Sequence, residues 1–125
     1  MKEYLICLLG LILAVALSPP LVLADEFKSL APAELKTMQP NKDFFLLDVH
    51  IPEQTHIPGT DAFIDFREIR QSVDQLPAAK HTKIVVYCRS GGMSRIAASN
   101  LVAMGYTHVY DLVGGSLAYN QLTSP

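Results

Sequence analysis

The chain has 125 residues, enough for one hydrophobic core and too few for two, so any active site must lie within that core or between subunits. Half of the residues are apolar, but the excess is concentrated in the first two dozen positions, and the rest has the composition of an ordinary soluble domain. A formal net charge of −2 leaves no basic surplus for a nucleic-acid partner.

The chain opens with Met1-Lys2-Glu3, then an apolar run from Tyr4 to Leu17, then Ser18-Pro19-Pro20 and Leu21-Val22-Leu23-Ala24. This order is that of a cleaved export signal over 1–24, with Val22 and Ala24 as the small residues before the cut and Asp25 as the first mature residue. The expected location is therefore outside the cytoplasm, most simply a periplasm, with no membrane attachment after cleavage. An uncleaved anchor is the competing reading, since Tyr4 to Ala24 would just cross a hydrocarbon layer of roughly 30 Å. Cleavage removes Cys7 and leaves Cys88 as the single thiol of a mature domain over 25–125, which excludes an intramolecular disulfide.

Along the mature chain, Pro32 suits the first turn of a helix running to Met38, and Pro40-Asn41-Lys42-Asp43 reads as a turn. Phe44 to Val49 is a continuous apolar run, as expected for a strand covered on both faces, and its end delivers Asp48 and His50 to a sheet rim. Pro52, Pro58 and Gly59 keep the next segment irregular until a short strand at Ala62 to Phe66. A helix is expected from Arg67 to Leu76, then a β-branched strand from Lys83 to Tyr87 that runs straight into Cys88-Arg89-Ser90-Gly91-Gly92-Met93. Ser94 to Met104 reads as a helix with Ala97, Leu101 and Met104 on one face and Gly105 ending it. His108 to Val113 is the last strand, and Gly114-Gly115 ends it. Alternating strands and helices imply an α/β layer fold with a mainly parallel sheet.

A strand, a Cys, a Gly-containing loop and a helix make an anion-binding device, because loop amides and first-turn N–H groups lack helical partners. That environment, with Arg89 and Arg95 nearby, favours thiolate over thiol at Cys88 and makes it a candidate nucleophile. Gly91 and Gly92 allow positive φ and close approach, while Ser90 and Ser94 can donate further hydrogen bonds. The bland alternative is an inert Cys at a strand end followed by a Gly turn.

The wider pattern reduces that alternative. Leu47-Asp48-Val49, Pro52-Glu53, His56-Ile57-Pro58-Gly59-Thr60, Tyr87-Cys88-Arg89-Ser90-Gly91, Gly105-Tyr106 and Leu112-Val113-Gly114-Gly115 occur in the order found in rhodanese domains. The chain resembles the small single-domain periplasmic rhodaneses over nearly all of its mature length. The resemblance implies a five-stranded, mainly parallel sheet flanked by helices on both faces, and a six-residue active loop from Cys88 to Met93. It implies a sulfurtransferase, in which Cys88 takes sulfur from thiosulfate or a similar donor, holds it as a persulfide and passes it to cyanide or a thiol. No cofactor is expected. Arg89, Ser90, Gly91, Gly92, Met93 and Ser94 would bind the donor, with Asp48 and Arg95 in support.

Some positions depart from the family pattern. His50 stands where many members have Arg, which leaves a partner for Glu53 open; Tyr119 replaces a frequent Trp; and Met93 replaces a frequent Arg, lowering the positive charge at the loop. Among His50, His56, His81 and His108, no pair has i, i+3 or i+4 spacing on a predicted helix, so a metal site is not expected. Two rival functions remain in view. A phosphatase of similar fold needs Cys-x5-Arg, but Ser94 holds the clamping position and Arg95 lies one residue beyond it. A non-catalytic persulfide carrier or partner-docking module would keep the same loop, and the sequence does not separate it from an enzyme.

Overall fold

The computed structural model describes residues 26–123; the expected export signal lies outside the described residues. Five strands form one wholly parallel sheet: β1 (Lys28–Leu30), β2 (Phe45–Asp48), β3 (Ala62–Phe63), β4 (Ile84–Tyr87) and β5 (Val109–Leu112), in the order β1-β5-β4-β2-β3. Among the described residues the α-helices are α1 (Pro32–Met38), α2 (Gly92–Ala103) and α3 (Gly115–Thr123).

A parallel sheet is stable only when both faces are covered, and the central strand shows how this sequence meets that demand. Every residue of β4 is fully buried, and its side chains alternate between two cores. Ile84, Val86 and Cys88 face a core that includes Ala97, Ala98 and Leu101 of α2 together with Ile69. Val85 and Tyr87 face a second core with Leu35 of α1 and Tyr119 of α3. Tyr119 is thus a core residue.

The structure differs from the sequence expectation in several places, beginning with the strand expected at Ala62 to Phe66, which ends at Phe63 because Asp65 caps the turn that starts at Phe66. The segment from Arg67 to Leu76 is not one helix but two 3-10 turns, Phe66–Gln71 and Val73–Gln75, with Glu68 out of helical geometry. Only Ile69 and Leu76 are buried there, and the Ser72 hydroxyl bonds the Glu68 carbonyl at 2.8 Å, so no apolar stripe enforces an α-helix and a local side chain competes with it. The helix expected from Ser94 begins at Gly92, which draws Gly92 and Met93 out of the loop and into its first turn. Strand β1 and helix α3 were not anticipated. The first buries only Leu30 and is held by backbone pairing to β5; the second exposes Leu117 and Leu122, so neither carries a clear apolar period.

Tyr87 ties the irregular segment between β2 and β3 to the sheet. Its phenolic oxygen accepts from the Ile57 amide at 2.9 Å and lies 2.8 Å from Thr60 Oγ1, which itself donates to the Ile57 carbonyl at 2.6 Å. Thr60 has one proton, so the Tyr87 hydroxyl is the donor in their shared bond. Burial pushes the Tyr87 phenol well above its ordinary range, which keeps that proton in place. Tyr87→Phe leaves the Ile57 amide and the Thr60 oxygen without this partner while preserving ring packing. Urea unfolding should show a loss of about 1–3 kcal/mol, whereas an unchanged midpoint would mean that water replaces the phenol at no cost.

Candidate functional site

Cys88 lies immediately beyond the carboxyl end of the central strand, the side of a parallel sheet on which ligands bind in α/β folds. The loop it opens is held from behind by α3. The Ser116 amide donates to the Cys88 carbonyl at 2.9 Å, and the Leu117 amide donates to the Arg89 carbonyl at 3.1 Å. These are first-turn amides with no partner inside their own helix, so the loop and the helix satisfy each other. The approach is too close for any side chain at Gly115. A Cβ there would lie 2.5 Å from backbone atoms of Cys88 and Arg89, and the residue sits at φ +61°.

With these carbonyls turned towards α3, the sulfur meets donors from the loop. Cys88 Sγ accepts from the Gly91 amide at 3.0 Å, a contact made possible by Gly91 at φ +121°. Cys88 and Ser94 are buried, whereas Arg89, Ser90, Gly92 and Arg95 are exposed and Met93 is half-buried against the α2-side core. The arrangement is a recessed sulfur with one fixed amide donor, in a loop and first helical turn that also carry the exposed Arg89 and Arg95. It brings together most of the residues expected from the sequence, with Gly92 and Met93 contributed as helix rather than loop.

An acid that sequence reading missed stands on the sulfur's face. Asp111 of β5 is buried, and its Oδ1 accepts from the Ser94 hydroxyl at 2.5 Å. Ser94 Oγ is also 3.1 Å from the Gly91 carbonyl and 3.4 Å from Cys88 Sγ. Burial raises the Asp111 carboxyl above its ordinary value, against the Ser94 hydrogen bond and the charge of Arg95. The available signal was an acid in the middle of a strand buried on both sides, which must have a polar partner.

Asp48, the acid singled out from sequence, belongs to the opposite face: it pairs in register with Tyr87, one position out of step with Cys88. It is fully buried and accepts from the His50 amide at 3.0 Å, Gln54 Nε2 at 3.3 Å and His56 Nδ1 at 2.8 Å. Gln54 in turn accepts from the Ser116 hydroxyl at 3.0 Å, so Asp48 supports the backbone around the site without facing the sulfur. Glu53, whose partner was left open by His50, pairs with His56 Nε2 at 2.9 Å, while His50 Nδ1 lies 2.7 Å from the Pro52 carbonyl. Both ring nitrogens of His56 are thus engaged, and among the described residues no group of three His, Cys, Asp or Glu side chains is placed to hold a metal ion.

The Asp48 hydrogen bond raises the His56 pKa, with Glu53 adding to it and burial opposing. A group whose folded pKa is raised stabilises the fold fully below its unfolded value and loses that contribution as pH rises through the folded one. The urea midpoints of wild type and His56→Gln should therefore differ most below about pH 6.5 and converge above it, modestly because a third of the ring is exposed to solvent. A gap that does not vary with pH would contradict a protonated His56 in this bridge.

Comparison with known proteins agrees with this fold. The rhodanese-like domain family matches residues 31–122. The tRNA uridine(34) hydroxylase of Cytophaga hutchinsonii is 30% identical over 97 residues, covering 74% of this chain and 31% of its own length. The adenylyltransferase and sulfurtransferase UBA4 of Candida albicans is 34% identical over 99 residues, covering 73% and 23%. The match thus spans only 23–31% of the length of these curated relatives. Among solved structures, a rhodanese-like domain protein from Staphylococcus aureus superposes with a TM-score of 0.65 at 25% identity, covering 74% of this chain and 91% of that one. The chain, with its buried Cys beyond the central strand of a wholly parallel sheet, belongs to the rhodanese-like domain family.

Proposed function

We propose that the protein is a sulfurtransferase that carries sulfane sulfur as a persulfide on Cys88, with thiosulfate or a similar anionic compound as donor. The observation that carries this reading is the recessed Cys88 sulfur accepting the Gly91 amide inside a loop whose carbonyls are held by α3. A sulfur anion extended from Cys88 would meet the same kind of donor that stabilises thiolate, and Arg89, exposed beside it, would attract an anionic donor.

In the forward step the Cys88 thiolate attacks the outer sulfur of thiosulfate. A new sulfur–sulfur bond forms at Cys88 as the bond to sulfite breaks, and sulfite leaves with that electron pair. In the return step cyanide or a thiolate attacks the terminal sulfur, and Cys88 departs as thiolate. This is covalent catalysis by an activated thiol, balanced without any cofactor. The tRNA named for one relative belongs to a protein of which the match covers 31%, and this chain's charge of −2 gives no reason to carry that substrate over.

Protein treated with thiosulfate and desalted should gain the mass of one sulfur atom, and cyanide should remove it as thiocyanate. Cys88→Ser should do neither. Arg89→Ala should load to the same extent but need several-fold more thiosulfate, on the order of a lost charge-assisted contact. Loading from a polysulfide but never from thiosulfate would remove thiosulfate as donor. If no donor loads Cys88, the sulfurtransferase reading fails and a docking module takes its place.

A further inference from the structure

Ser94 has one hydroxyl proton and three neighbours near enough to compete for it: Asp111 Oδ1 at 2.5 Å, the Gly91 carbonyl at 3.1 Å and Cys88 Sγ at 3.4 Å. Asp111 wins as carboxylate, the form that the Ser94 bond and the Arg95 charge favour against burial, because a charge-assisted O–H···O⁻ bond is shorter and stronger than a neutral one, and this is the shortest of the three. The Gly91 carbonyl has another donor, the Arg95 amide at 3.3 Å. With its proton committed to Asp111, Ser94 turns only lone pairs towards the sulfur. An S–H group satisfies those lone pairs, and a thiolate does not.

We propose that the buried Asp111–Ser94 pair holds unloaded Cys88 as a thiol, with Asp111 a positioning residue that keeps the Ser94 proton away from the sulfur. The Gly91 amide pulls the other way, towards thiolate, so the reactivity of Cys88 is set by the contest between the two. Ionisation along this path is balanced. The thiol proton moves to Ser94 Oγ as the Ser94 proton moves to Asp111, so the negative charge passes from carboxylate to sulfur and the net charge of the trio is unchanged. In register with Asp111 lie the uncharged Ser29 of β1 and Val86 of β4, and the charged group acting on it from α2 is Arg95. The loop adds Arg89, which is exposed. On the persulfide reading the pair has a use, since a loaded sulfur has no proton to offer Ser94, and stabilising the bare thiol favours delivery of sulfur over its retention.

The test uses the bare thiol and so stands apart from whether thiosulfate is the donor. Iodoacetamide alkylation of Cys88 is followed against pH in wild type, Asp111→Asn, Ser94→Ala and the double variant, each checked for its fold by circular dichroism. Asp111→Asn removes the opposing charge and leaves only a weaker, neutral amide oxygen to compete with sulfur for the Ser94 proton. Its midpoint should fall by about one pH unit, giving on the order of tenfold faster alkylation at a fixed pH on the rising limb. Ser94→Ala should also lower the midpoint, because the thiol loses its acceptor while the Gly91 amide remains. In that background Asp111→Asn should produce less than half its original shift. A gain in reactivity is not what a merely structural acid would yield. An unchanged or raised midpoint in Asp111→Asn, or an equal shift with and without Ser94, overturns the proposal. If Asp111→Asn does not fold, Ser94→Ala decides by sign: a raised midpoint would mean that the hydroxyl donates to thiolate, contrary to the proposal.

Discussion

The site depends on one mutual satisfaction: two orphan amides at the start of α3 take the carbonyls of Cys88 and Arg89. Without that contact a glycine-containing loop at a strand end would sample many conformations, and the Gly91 amide would have no fixed relation to the sulfur. The contact explains why Gly115 admits no side chain, since its Cβ would overlap the carbonyls being held. It also explains how a helix with little apolar surface keeps its place, because its first turn is bonded to the loop, Tyr119 enters the core and the Ser116 hydroxyl bonds Gln54. Fold and site are therefore not separable here.

The second constraint is the two-residue period of a strand. Cys88 and Tyr87 leave β4 on opposite faces, and this parity sorts everything around them. Tyr87 joins Ile57 and Thr60 to the sheet on one side, where Asp48, His56 and Glu53 form a polar brace. Cys88 faces α2 on the other, where Ser94 and Asp111 stand. One acid thus supports the frame and the other addresses the sulfur, although both occupy strands of the same sheet.

Much of this was legible in the sequence wherever a physical demand left a strong mark. Ile84 to Tyr87 could only be a buried strand, Pro32 marked a helix start, and Gly105, at φ +101°, ended α2 as expected. The Cys88 loop was legible because a Cys between a β-branched strand and paired glycines is an unusual local combination. What was not legible depends on tertiary context. Lys28 to Leu30 becomes a strand only because β5 is present to pair with it, and Gly115 to Thr123 becomes a helix because the loop carbonyls accept its first amides. Asp48 stands out in the sequence because it lies at the end of an apolar strand run, whereas no such position singles out Asp111. The face on which each acid lies follows from register, which a single sequence does not display.

If the Cys88 loop is a preformed cradle for sulfur, its attachment to α3 must be present before and after the sulfur is carried. Amide hydrogen exchange at Ser116 and Leu117, measured by NMR in the bare protein and in protein loaded with sulfur, tests this most directly. The account predicts that both amides are protected in both states, while the Gly91 resonance shifts on loading. Exchange as fast as that of unbonded helix-start amides in the bare protein, or loss of protection on loading, would show that the loop is built by its cargo and would contradict the account.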